Sequence, residues 1–192
     1  MSNPDTNLQR KAQLRKLIAA KASSMQKESI ATSDHKILLN LLDTPEYQTA
    51  TVIFTYVGTE NEVDTKSIIS KAIEQGKRVC VPRCVRLGIM HAYEIRDLSD
   101  LQIGRYNIPE PKEYCEHVTP EEISLALVPC VTCNFDGHRL GYGGGFYDRY
   151  LFEQRFTKIA LCRSVLIHAD IPIDTHDIPV DIIITDEQVV YV

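Results

Sequence analysis

Two things are missing from this 192-residue chain: an apolar run of membrane-spanning length and a surplus of basic residues. The first "MSNPDTNLQRKAQL" also lacks the apolar core of a signal peptide, so the expectation is a cytoplasmic protein with no membrane partner. Lys and Arg total 21 against 26 Asp and Glu, a net charge of −5. That excludes a nonspecific nucleic-acid binder, whose footprint is basic, but leaves room for a local cationic site. Internal repeats, low-complexity segments and linkers are absent too, and 192 residues fill one core better than two, so residues 1–192 read as a single domain.

The six cysteines (80, 84, 115, 130, 133 and 162) form no disulfide framework. Four sit in strand-like apolar surroundings and read as reduced, partly buried thiols. A zinc site from Cys80, Cys84, Cys130 and Cys133 has only marginal spacing, and Cys130-x-x-Cys133 does not open a helix as a redox pair would.

What is present alternates. "NLQRKAQLRKLIAAKASSM" predicts a helix with a Leu14, Leu17, Ile18 stripe, and Thr32 or Ser33 is positioned to cap a second helix that stops before Pro45. "TATVIFTYV" reads as a buried strand, followed by an amphipathic helix over "EVDTKSIISKAIEQGK" with Gly76 at its C-terminal cap. "RVCVP", "IMHAYEI", "ISLALVP", "TKIALCR" and "DIIIT" read as further strands, and residues 97–122 as an irregular proline-rich loop. This alternation predicts an α/β fold, a three-layer α/β/α sandwich with a mostly parallel sheet and its site at the carboxyl ends of the strands.

The candidate chemistry begins at "RLGYGGGFYDRYL", where Gly141, Gly143, Gly144 and Gly145 precede a short helix. Successive backbone N–H groups beside Arg139 would suit a phosphate, with Asp148 placed for a magnesium ion. The same glycines would equally make a structural turn. No Lys-Ser/Thr follows them, so this is not a Walker A loop, and Phe146 stands where a dinucleotide loop needs its last glycine. Lys11 and Arg15 share one helix face and read either as a solvated basic face or as cations reaching a site. Asp64 or Thr65 suits a helix cap, while Glu62 just outside the helix is freer to bind a ligand. His176, Asp177 and Asp181 lie near the last strands, with Asp181 either a second magnesium carboxylate or an ordinary strand-edge residue.

"LVPCVTCNFDGHRLGYGGGFYDRYL" resembles the signature of the 5-formyltetrahydrofolate cyclo-ligase family, and "KAQLR", "ENEVDT", "RVCVPR", "YNIPEP" and "HDIPVDIIITDE" match in order. The resemblance implies ATP- and Mg2+-dependent cyclisation of 5-formyltetrahydrofolate to 5,10-methenyltetrahydrofolate by a monomer, with ADP and phosphate released. By motif it assigns Lys11, Arg15 and Arg139 to catalysis through the ATP phosphates. Leu140, Gly141, Tyr142, Gly143, Gly144, Gly145, Phe146 and Tyr147 would cradle the nucleotide. Asp148 and Asp181 would hold magnesium. Val57, Glu62, Tyr106, Tyr142 and Phe146 would bind the folate.

The chain departs from that pattern at Cys130, Thr132, Cys133 and Asn134, at Tyr106 where tryptophan is usual, and at a glutamine missing from "ALCRSVLIHADIP". The altered 130–134 segment and the missing glutamine motivate one rival reading, a paralogue with lost or altered folate turnover; the Cys80/Cys84 and Cys130/Cys133 pairs offer another, a zinc or thiol module.

Overall fold

The computed structural model describes residues 4–192, with side chains from residue 6 onward. In chain order the helices are α1 (Pro4–Ser23), α2 (Lys27–Leu42), α3 (Pro45–Thr49), α4 (Thr65–Glu74) and α5 (Phe146–Leu151). The strands are β1 (Val52–Phe54), β2 (Arg78–Arg86), β3 (Ile89–Ile95), β4 (Leu101–Ile103), β5 (Pro109–Pro111), β6 (His117–Val118), β7 (Leu125–Val128), β8 (Thr132–Cys133), β9 (Arg139–Leu140), β10 (Thr157–Leu161), β11 (Ile182–Ile184) and β12 (Val189–Tyr191).

Eight strands form one mixed, mostly parallel sheet in the order β12-β11-β10-β7-β1-β2-β3-β6. β11, β10, β7, β1 and β2 run parallel, and β12, β3 and β6 add antiparallel edges. Successive side chains of a strand point to opposite faces. Val52, Phe54, Ala126, Val128, Ala160 and Ile183 pack toward α1 and α5. Their neighbours Ile53, Leu125, Leu127, Ile159, Ile182 and Ile184 pack toward α2, α3 and α4. Burial on both faces is why these strands read as unbroken apolar runs, and it makes the three layers expected from the sequence.

Helix boundaries show which local signals prevailed. Asp64 caps α4 by accepting from the Lys66 N–H, and Gly76 takes φ +77 just beyond its end. Thr44 caps α3, with Pro45 in its first turn, so the proline that stops one helix starts the next. Thr32 and Ser33 do not cap α2, which begins six residues earlier than Ser33, at Lys27. Their hydroxyls bond the Glu28 carbonyl and Asp186 instead. In α1 the buried stripe is Leu14, Ile18 and Ala22, whereas Leu17 is 58% exposed. Leu17 lies roughly 100° around the helix from the centre of that stripe at 3.6 residues per turn.

The expected irregular loop over 97–122 contains a two-stranded ribbon, β4–β5, and the edge strand β6. A second ribbon, β8–β9, folds back over the α1 face before the glycines. No helix among the described residues is long and apolar enough to cross a membrane.

Leu125 is fully buried in the central strand β7. Leu125→Ala is expected to cost about 2–5 kcal/mol of unfolding free energy, measured by urea titration.

Candidate active site

The carboxyl ends of β1, β7 and β10 lead into three segments that meet above the sheet. β1 continues through Tyr56 and Val57 into a turn at 59–62, where Glu62 Oε2 accepts from the Thr59 backbone N–H at 2.9 Å and its hydroxyl at 2.8 Å. β7 leads through the β8–β9 ribbon to the glycine loop, and β10 leads to Arg163.

Arg163 is 2% exposed and organises this end of the sheet. Its Nε and Nη2 donate to both oxygens of Asp34 on α2, at 2.7 and 2.9 Å. Its Nη1 and Nη2 donate to the carbonyls of Asn61 and Glu62, at 3.1 and 2.7 Å. A planar guanidinium can serve a carboxylate and two carbonyls together, which a lysine cannot. Arg163 therefore fixes the backbone that carries Glu62. Sequence reading missed it, because a lone arginine after an apolar strand gives no sign that it is buried.

Around Glu62 stand three phenols. Burial first, then the Glu62 carboxylate, pushes Tyr56 and Tyr147 well above the ordinary tyrosine range, and Tyr142, which is 57% exposed, is raised in the same direction. All three remain O–H donors at neutral pH. The Tyr147 hydroxyl is buried without a protein partner. Phe146 meets Tyr106 edge-on, with ring centroids 6.2 Å apart and planes at 78°. Tyr106 and Asn107 both hold left-handed backbone (φ +57 and +58), which turns the Tyr106 ring outward to 61% exposure. Strain of this kind in non-glycine residues concentrates at functional sites. Val57 is placed differently from the expectation: it is 3% exposed, inside the core shared with α4, and lines no open surface.

Three arginines approach the glycine loop, and one of them, Arg149, donates from Nη1 to the Gly144 carbonyl at 3.0 Å. Arg15 Nε donates to the Gly141 carbonyl at 2.7 Å, and its guanidinium lies against Gly143, which adopts φ +96. Burial draws the Arg15 pKa down, and Asp177 opposes that shift. Arg139, 7% exposed, donates from Nη2 to Asp148 Oδ1 at 2.7 Å, and its Nε is buried with no protein partner. The loop N–H groups of residues 142–145 have no protein acceptor among the described residues. Leu140 is a core residue whose carbonyl is taken by the Val131 N–H.

Lys11 does not stand free. Its ammonium bonds Asp174 at 2.7 Å and Asp177 at 2.5 Å. Hydrogen bonds from Lys11 and then Asn7 hold the Asp174 carboxyl below the usual aspartate range. The groove beside this helix, about 370 Å³ and lined by Arg10, Gln13, Leu17 and His168, opens on its other flank.

The two expected magnesium carboxylates are not brought together. Asp148 Oδ1 accepts from Arg139 and from the Ile178 N–H at 3.2 Å, leaving Oδ2 without a protein partner. Asp181 precedes β11, so it lies at the opposite end of the parallel strands from the glycine loop. There its Oδ2 accepts the Lys158 backbone N–H at 2.7 Å. It is a strand-edge residue, and Asp177 is the carboxylate that the 171–180 crossover delivers to Lys11. A chain segment without periodicity gives no way to tell which of its acids turns inward.

The four-cysteine zinc arrangement, which the spacing already disfavours, does not form. Cys130 and Cys133 gather with Cys162, while Cys80 and Cys84 stay on β2 outside that group.

An α/β sheet with cationic side chains, an open glycine loop and an aromatic-lined carboxylate at its strand ends defines a binder of small anionic ligands. The chain belongs to the 5-formyltetrahydrofolate cyclo-ligase family, whose model matches residues 7–186, and membership implies ATP and a folate as substrates. It is 28% identical to a 5-formyltetrahydrofolate cyclo-ligase of Haemophilus influenzae, covering 90% of this chain and 96% of that protein. The solution structure of Aquifex aeolicus 5,10-methenyltetrahydrofolate synthetase superposes with a TM-score of 0.83 at 29% identity, covering 94% and 92% of the two chains. A relative in Arabidopsis thaliana, 25% identical over 97% of this chain and 77% of its own length, is named a mitochondrial protein, so the family does not fix the compartment.

Replacing Arg163 by Met strands the Asp34 carboxylate, whose side chain is only 12% exposed. A loss of about 3–5 kcal/mol in denaturant unfolding is expected. Adding Asp34→Leu should recover part of it.

Proposed function

We propose that the protein catalyses ATP-dependent closure of 5-formyltetrahydrofolate to 5,10-methenyltetrahydrofolate, with release of ADP and phosphate. The observation that carries this reading is the meeting of Arg15 and Arg139 at a glycine loop with unpartnered N–H groups, beside Glu62 and its phenols. The residues invoked come from one sheet and the loops at its strand ends, which supports action as a single domain, and we take the protein to act as a monomer. Six free cysteines support a reducing compartment such as the cytoplasm.

A formyl oxygen on nitrogen is a poor leaving group, so it is first phosphorylated. It attacks the terminal phosphorus, ADP departs, N10 closes onto the formyl carbon and phosphate leaves. Such transfers need positioning and neutralised charge more than a protein nucleophile.

Arg139 Nε, the buried donor without a partner, suits a phosphoryl oxygen. Arg15, whose guanidinium lies against Gly143, suits the neighbouring phosphate. Lys11 can reach phosphate only by leaving Asp174 and Asp177, so its present role is to hold the 173–177 turn against α1. Glu62 accepts N–H groups of the pterin, and Tyr106, Phe146 and Tyr142 offer ring faces to it.

Magnesium fits one carboxylate here: Asp148 Oδ2 is a hard oxygen without a protein partner, and a magnesium ion commonly takes one or two carboxylates plus phosphate oxygens. When bound it would neutralise phosphate charge.

The direct test follows the near-UV absorbance of the methenyl product with 5-formyltetrahydrofolate, ATP and magnesium. A rise is expected; ATP binding without any rise would favour the paralogue reading instead. Arg139→Ala should lower kcat about 10²–10³-fold.

Two pairs of variants separate the roles. Asp148→Asn should raise the magnesium concentration needed for half-maximal rate, while Asp181→Asn leaves it unchanged. Arg15→Gln should raise KM for ATP at unaltered stability, whereas Lys11→Met lowers the unfolding midpoint by leaving two carboxylates unpaired. In that second pair the stability gap should be full above about pH 5 and shrink as acid protonates Asp174 through its lowered folded pKa.

A further inference from the structure

Three cysteines converge at the carboxyl ends of β7 and β10 on the face that α1 covers. Ala160 pairs with Val128 in the parallel ladder, so Cys162 and Cys130, two residues further along each chain, leave the sheet side by side. β8 brings in the third. The Thr132 hydroxyl donates to the Leu166 carbonyl at 2.6 Å, and the His168 N–H donates to the Cys133 carbonyl at 3.2 Å. These bonds pin Cys133 over the other two. The three sulfur atoms all lie within 4.8 Å of one another. Cys133 and Cys162 are 0% and 3% exposed, while Cys130 is half-buried and gives a way in.

We propose that Cys130, Cys133 and Cys162 form a three-coordinate thiolate site for a single copper(I) ion. Soft thiolates select soft d10 ions. Among the described residues no histidine or carboxylate joins the trio, so the fourth ligand of a structural zinc site is missing. The sulfurs are too close together to enclose an iron–sulfur cluster, which also takes four cysteines.

A single monovalent ion would leave three thiolates with two net negative charges. Neighbouring thiols and burial hold Cys130 and Cys133 well above the ordinary cysteine range, so the ion must displace their protons on binding. The sulfurs otherwise make only weak contacts, Cys130 to the Leu161 carbonyl and Cys162 to the Arg163 carbonyl, both at 3.6 Å. They are free to turn toward an ion. The site is independent of folate turnover, since none of the three cysteines is needed for the reaction proposed above.

The test titrates reduced, oxygen-free full-length protein with copper(I) against bicinchoninate and reads the copper retained per chain. One copper per chain is expected. Cys162→Ala should retain copper about tenfold or more less tightly, since even second-shell changes cost that much. Cys80→Ala, a buried cysteine outside the trio, should behave as the unchanged protein.

In the unchanged protein, copper(I) should also protect Cys130, the half-buried member of the trio, from alkylation under native conditions, read by mass spectrometry, so a poorly folding variant does not decide the outcome. Equal retention by the two variants, protection that does not fall on Cys130, no copper held against the competitor, or displacement by equimolar zinc would each overturn the proposal.

Discussion

Along β1, β7, β10 and β11 every side chain except Thr157 and Lys158, at the amino end of β10, falls into one of two apolar cores, one beneath α1 and α5 and the other beneath α2 to α4. A sheet sealed in this way has no face on which a charged group can be solvated. Polar chemistry is driven to the strand ends. Thr55, Arg163 and Thr185, each just after a parallel strand, are all buried there and all hydrogen-bonded. Placement of the site at the carboxyl ends is thus a consequence of burial, and the loops leaving β1, β7 and β10 inherit the ligand groups.

Local cation density in a net-acidic chain follows from the same constraint. Arg139, Arg163 and Lys11 are each less than a tenth exposed, and a buried charge must be paired or hydrogen-bonded. Asp148, Asp34 and the Asp174/Asp177 pair supply that compensation. Among the described residues Arg139 Nε has no partner, and Arg15, unlike Lys11, has no carboxylate at bonding distance. Both lie against the glycine loop, so these donors remain open to an anionic ligand there. This distinguishes Arg15 from Lys11, which their shared helix face does not.

Residues whose role depends on local spacing were legible from the sequence. Asp64, Gly76 and the apolar runs of the parallel strands act through neighbours a few positions away, and periodicity captures them. Arg163 acts on Asp34, 129 positions distant, and Asp181 is decided by whether it sits at the start or the end of its strand. Neither is written in local pattern. Thr32 and Ser33 had the right residue type for a cap, but their hydroxyls found other acceptors in the finished fold. Leu17 shows the limit of a stripe argument: hydrophobicity marks a candidate face, and the width of the neighbouring layer decides how much of it is buried. The glycine loop itself stayed ambiguous in isolation, because a turn and an anion cradle ask the same of the backbone. Arg15 against Gly143 and Arg139 beneath the loop supply what glycine content could not.

The atypical segment at 130–134 takes on a different meaning once placed. Thr132, Cys133 and Asn134 are buried, and they bond to residues 166, 168 and 169 rather than to the loop. They fix how the β8–β9 ribbon lies on the sheet, beneath the glycine loop and not facing the aromatic pair. Recognition of a pterin would then depend on Glu62, Tyr106 and Phe146, whose positions are set by Arg163 and by the strained turn at 106–107. Tyr106 projects from that turn onto Phe146, the first residue of α5, so one contact joins the 104–108 turn to the end of the glycine loop. A tyrosine there gives a smaller ring face than tryptophan, but its edge-on contact holds it against the loop. In this chain the 130–134 segment therefore acts through packing, whereas Tyr106 stands exposed beside Phe146.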